Sequence, residues 1–133
     1  SVVSYKAVPS CIFSSPEVAM VGMSEEQARA AGHAVRVGKF ALANNGKALA
    51  AGDTDGFVKV VIDEKHEEIL GLHIVGPHAS DLINEGTLAL NLEATVAELE
   101  TTIHPHPTFG EAVQEAGLAA LGRALGLPMK SAQ

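Results

Sequence analysis

FVKVVIDEKHEEILGLHIVG, residues 57–76, holds two β-rich runs, FVKVVID (57–63) and EILGLHIVG (68–76), parted by the polar EKHE. Val, Ile and Phe suit the pleated, half-buried surface of a strand. Two such runs joined by a short charged link predict an antiparallel hairpin with a loop. Upstream, CIFSS (11–15) and EVAMVG (17–22) read as short extended segments broken at Pro16, which has no N–H to give to a ladder. SEEQARAAG follows, with Ser24 and Gln27 at capping-box spacing and Gly32 at the stop, so a short helix is expected. HAVRVGKFAL (33–42) alternates until Gly38, where the parity slips, and a bulge or bend is expected there. ANNGKALAAGDTDG (43–56) is turn-rich around one helical turn.

Downstream of Pro77 the pattern becomes helical. SDLINEGTLALNL (80–92) sets Leu82, Ile83, Gly86 and Leu90 on one face and Leu88 and Leu92 on a second. A helix apolar on most of its circumference needs cover on most sides, which in so small a chain points to a partner. TVAELE (95–100) opens with Thr95 and Glu98 at capping-box spacing. The last helix is expected from about Phe109 to Leu125, behind Thr108 as N-cap, burying Val113, Ala116, Ala120, Leu121 and Ala124 and ending at Gly126 and Pro128. Strands first and helices last predict an α+β domain, an antiparallel sheet with helices packed on one side. The length, 133 residues, fits a single domain spanning 1–133.

Composition narrows the function. Hydrophobic residues make up 47% of the chain and aromatics only 4%, with no Trp, so the core must be built from Ala, Val, Leu and Ile. A formal charge of −7 opposes a nucleic-acid surface, which needs clustered Lys and Arg. No window of about 18 apolar residues is present to span a membrane. There is no signal-peptide pattern, and the start reads as mid-chain, so a cytoplasmic origin is expected. Cys11 is the single cysteine, which excludes an internal disulfide and a self-contained dithiol centre, and it reads as a buried thiol.

TTIHPHPTFGEA, residues 101–112, concentrates the candidate chemistry. Pro105 and Pro107 fix their own φ and push the preceding residues away from helical conformations, so His106 sits on a stiff, extended backbone. A cis His106–Pro107 bond is open to it. Glu111 falls in the first turn of the last helix, close enough to reach back to the imidazole. A carboxylate on one ring nitrogen fixes the tautomer and frees the other nitrogen as a general base. The bland alternative is that Thr108-x-x-Glu111 is only a capping box, with His104 and His106 exposed in a loop. His-x-His also suggests a metal, but the prolines restrict convergence and no further ligand stands at suitable spacing. His33, His66, His73 and His78 are scattered and read as surface or structural residues.

Three segments, PSCIFSSPEVAMVGMSEEQA (9–28), GLHIVGPHASDLINE (71–85) and TIHPHPTFGEAVQEA (102–116), occur in this order. Together they resemble the C-terminal dimerisation domain of the pyridine nucleotide–disulfide oxidoreductases. The double-histidine His-Pro-His-Pro-Thr is most similar to the dihydrolipoamide dehydrogenase group. Glutathione and trypanothione reductases match only from the second histidine, and mercuric reductases typically lack a histidine there and add a cysteine pair. The resemblance implies that His106 is the acid–base residue and that Glu111 orients it. It also implies that the dyad serves the partner subunit's FAD and redox-active disulfide in a homodimer, with the backbone at His106 near the partner's flavin and NAD as electron acceptor. The implied substrate is dihydrolipoamide, carried on the lipoyl domains of a 2-oxo acid dehydrogenase-type complex.

This chain departs from the family by lacking a G-x-G-x-x-G fingerprint and a C-x-x-x-x-C pair. It is therefore expected to be a piece without the FAD- and NAD-binding domains, inactive alone and binding neither cofactor. The alternatives are the same domain of a glutathione-type reductase, or a non-catalytic dimerisation module.

Overall fold

The computed structural model describes residues 7–122. The two runs of the opening stretch pair antiparallel as β4 (Phe57–Asp63) and β5 (Ile69–Val75). They form the centre of a five-stranded antiparallel sheet whose remaining strands are β1 (Ser10–Ile12), β2 (Val18–Gly22) and β3 (Val35–Ala41), in the order β1-β2-β5-β4-β3. The break at Pro16 separates β1 from β2, with a cis Ser15–Pro16 bond in the connection. Between strands lie α1 (Glu25–Ala30) and α2 (Gly46–Ala51), and after them α3 (Ala79–Asn91), α4 (Val96–Thr101) and α5 (Glu111–Ala120). The expected capping boxes form at Ser24–Gln27 and Thr95–Glu98.

One face of the sheet carries the main core. Ala19, Val21, Phe40, Val58, Val60, Ile62, Leu72 and Ile74 pack there against Ile83 of α3, Val96 and Leu99 of α4 and Val113 and Ala116 of α5. As composition required, small and branched aliphatics fill it, with Phe40 and Phe109 the aromatic members. The opposite face holds a smaller cluster, where Ala28 of α1 covers Val35, Val61 and Leu70.

That division explains the parity slip in β3. No bulge or bend occurs at Gly38, and the register with β4 runs unbroken from Val35↔Asp63 to Ala41↔Phe57. Instead the strand changes the face it buries: Val35 and Val37 turn to the small cluster, Phe40 to the main core. Gly38 lies under α5, where a Cβ would stand 1.9 Å from the Ala116 carbonyl oxygen. The irregularity of the sheet lies elsewhere, between Val61 and Ile62, where Leu70 is the extra residue of β5.

α3 buries Ala79, Ile83 and Gly86 and leaves Leu88 60% exposed, with its C-cap Leu92 70% exposed, in keeping with the broad apolar circumference. The last helix is shorter than expected. It ends at Ala120, with Leu121 as C-cap and Gly122 at φ +74°, so the expected end at Gly126 and Pro128 and the burial of Ala124 lie outside the described residues. Cys11 is only partly buried, packing on the main core from the edge strand. No helix among the described residues is long and apolar enough to cross a membrane.

His73 of β5 gives the fold a pH dependence. Its Nε2 donates to the Met23 carbonyl at 3.1 Å. Burial, opposed by that hydrogen bond and aided by the Lys59 cation, holds the imidazole below its usual value of 6.5. The unfolded chain therefore takes up a proton near 6.5 that the folded chain declines, and stability rises with pH in that window. The contribution should be present in full above 6.5 and fall on acidification below it. A His73→Gln variant should show a flatter urea-unfolding profile between about pH 7 and pH 5 than the parent chain.

Candidate active site

The link from α4 to α5, residues 102–110, is fastened from several sides. Gln114 of α5 donates through Nε2 to the carbonyls of Glu100 and Thr102, at 3.0 and 3.3 Å. Asn45, the buried N-cap of α2, uses both ends of its amide: Oδ1 accepts from Ala48 N–H at 2.9 Å and Nδ2 donates to the Thr108 carbonyl at 3.0 Å. Phe109 anchors the segment in the core, its ring 5.4 Å from that of His78. The bond between His106 and Pro107 is cis.

His106 and Glu111 meet on this frame. Nδ1 lies 2.9 Å from Glu111 Oε1 and 3.0 Å from Oε2. A carboxylate only accepts, so Nδ1 carries the hydrogen, and in the neutral ring Nε2 keeps its lone pair. The His106 side chain is 77% exposed, and its Nε2 makes no hydrogen bond among the described residues.

The capping alternative is also partly true. Glu111 Oε1 accepts the Thr108 N–H at 2.9 Å while it holds the imidazole. Thr108, however, is not the N-cap. Its hydroxyl donates to the Pro105 carbonyl at 2.7 Å, and the helix starts at Glu111 behind Gly110. Partial desolvation raises the Glu111 carboxyl, but the Thr108 N–H, the hydrogen bond and charge of His106 and the charge of His104 outweigh it, leaving it below the usual carboxylate range. An ionised partner for Nδ1 is thereby secured.

His104 faces elsewhere. Its side chain is 7% exposed, with Nδ1 donating to the Thr102 carbonyl at 2.9 Å and Nε2 2.6 Å from Glu85 Oε1 of α3. The two histidines thus engage different carboxylates, and no group of three metal-ligating side chains occurs among the described residues. Neither Glu85 nor Asn45 was singled out by local spacing. Their contacts to the loop run 19 and 63 residues along the chain.

Residues 8–117 match the family model of the pyridine nucleotide-disulphide oxidoreductase dimerisation domain. The chain belongs to that family. Among curated relatives, it is 54% identical over 118 residues to the dihydrolipoyl dehydrogenase of Bacillus subtilis, covering 89% of this chain and 25% of that protein. The dihydrolipoyl dehydrogenase of Zymomonas mobilis is 49% identical over the same shares. Among solved structures, LpdA from Mycobacterium tuberculosis superimposes with a TM-score of 0.81 at 29% identity, over 88% of this chain and 26% of that one. The HOCl-induced flavoprotein disulfide reductase RclA from Escherichia coli gives 0.78 at 28% identity, over 83% and 25%. The chain thus spans about a quarter of the length of the relatives it matches. What it matches in them is the dimerisation domain, and the curated relatives named here are dihydrolipoyl dehydrogenases.

Proposed function

We propose that this chain is the interface domain of a flavin-dependent, NAD-linked dihydrolipoamide dehydrogenase and lends His106 and Glu111 to the active site of a partner subunit. The observation that carries the reading is the exposed imidazole whose Nδ1 is held by both oxygens of Glu111 while Nε2 stays open. An imidazole oriented by its own domain's carboxylate yet turned out to solvent is placed to meet groups that a second subunit brings.

The chain's residues do not fit a dinucleotide of their own, since no glycine fingerprint precedes a helix. FAD and NAD would be held by the rest of the parent enzyme, and only the backbone at His106 is offered to a partner's flavin. Bound there, the flavin would supply the redox step.

This chain's own contribution is proton transfer. Nε2 of His106 takes the proton from a thiol of dihydrolipoamide. Glu111 offsets the positive charge that then forms on the ring. The thiolate left behind is the form competent for thiol–disulfide exchange with the parent's redox disulfide. Lipoyl domains of a 2-oxo acid dehydrogenase-type complex are the natural carriers of that substrate.

The likeness to RclA favours a second reading, a disulfide reductase acting on another thiol such as glutathione. Kinetics separate the two. The full-length flavoenzyme carrying this domain should oxidise dihydrolipoamide with NAD⁺ at a kcat/KM exceeding that for glutathione disulfide with NADPH by roughly a hundredfold or more. The reverse preference would move the assignment to the second reading, and turnover of neither would reject both.

A further inference from the structure

We propose that the pair formed by the buried His104 side chain and the half-buried Glu85 is a positioning clamp, holding residues 102–106 against α3 and thereby setting where His106 stands. The inference rests on the reading of His106 as the base.

His104 is two residues from His106, and the intervening Pro105 has a fixed φ. Pinning the His104 ring on one side and the Thr108 carbonyl on the other, through Asn45, leaves the backbone between them little freedom. A surface histidine would contribute no such constraint, but this side chain is 7% exposed and has a partner at each ring nitrogen.

The chemistry of the contact makes it strong. The Thr102 carbonyl can only accept, so Nδ1 must carry a hydrogen. The 2.6 Å separation of Nε2 from Glu85 Oε1 then requires a second proton between them, because two bare lone pairs would repel at that distance. With that proton on the ring the bond is charge-assisted, the class roughly twice as strong as a neutral one, and with it on the carboxyl the bond is a short neutral one. Removing one partner would leave a buried polar group unsatisfied, which the loop could relieve only by moving. The effect also reaches the dyad electrostatically, for the charge of His104 is among those that lower Glu111. His104 itself touches no reacting atom in this scheme. It acts through His106.

The test uses the full-length flavoenzyme and four proteins: wild type, Glu85→Ala, Glu85→Gln and His106→Ala. Glu85→Ala should lower kcat for dihydrolipoamide oxidation by about ten- to a hundredfold, the cost of a small misplacement, with KM little changed and the flavin spectrum intact. Glu85→Gln should restore kcat to near the wild-type value. Its amide N–H donates to Nε2 of the Nδ1–H tautomer and spans the same gap without the shared proton. Wild-type turnover in Glu85→Ala beside an inactive His106→Ala would overturn the clamp alone. Glu85→Gln as slow as Glu85→Ala, or flavin lost from both, would overturn positioning in favour of a folding role. Near-normal turnover of His106→Ala would overturn the dyad reading, and the clamp with it.

Discussion

Replacing His106 by alanine in the full-length flavoenzyme should slow dihydrolipoamide oxidation by roughly 10²–10⁴-fold, the usual worth of a positioned general base, while flavin stays bound. The separation of these two readouts follows from geometry. The ring is largely exposed and packs on nothing that the core needs, so its loss should leave the fold standing. The thiol substrate, by contrast, is protonated at neutral pH and a poor nucleophile until its proton is taken. Glu111→Gln should cost less, about tenfold, because the amide oxygen still accepts the Nδ1 hydrogen but brings no charge to offset the imidazolium. Since the Glu111 carboxyl lies below the usual range, the native dyad keeps its negative member ionised well into acid, and protonation of Glu111 should not limit the rate near neutrality. Stopped-flow reduction of the flavin by dihydrolipoamide isolates the step concerned. A His106→Ala enzyme reduced at the wild-type rate would end the assignment.

The features that spacing foretold are those set by local chemistry. The hairpin of residues 57–76, the capping boxes at Ser24 and Thr95 and the contact from His106 to Glu111 each join residues whose separation along the chain is short. The misread features involve choices made between distant elements. At Gly38 the alternation breaks because α1 and α5 cover opposite faces of one strand, a fact carried by residues far downstream. Thr108 has the composition of an N-cap, yet its hydroxyl is drawn to the Pro105 carbonyl, and Glu111 spends one oxygen on two donors. Asn45 lies in the turn-rich stretch 43–56, and only the fold brings its amide to Thr108. The fold class was legible because an antiparallel sheet announces itself strand by strand. The half of the site that holds the loop in place was not, because its partners sit on α2 and α3.

Gly38→Ala should carry a large effect on stability, and the position connects the core to the site. A Cβ there would lie 1.9 Å from the Ala116 carbonyl oxygen and 2.3 Å from the Ala120 nitrogen, both backbone atoms of α5. No rotamer change can relieve contacts with backbone, so Gly38→Ala must lift the helix from β3. Overpacking of this kind costs about 1–3 kcal/mol, which for a domain of this size lowers Tm by roughly five to ten degrees. Gly46→Ala is the matched control. It opens α2, has nothing within 4 Å of the added carbon and should be neutral or stabilising by about 0.4–1 kcal/mol. Because Glu111 is the first residue of α5, a lifted helix also withdraws the carboxylate from His106, so Gly38→Ala in the full-length enzyme should lose turnover at temperatures where it remains folded. Urea and thermal unfolding of the two variants read the packing, and kcat below the melting range reads the dyad. A Gly38→Ala protein as stable as Gly46→Ala would mean that α5 does not lie on β3 in this register, and the placement of Glu111 would lose its support.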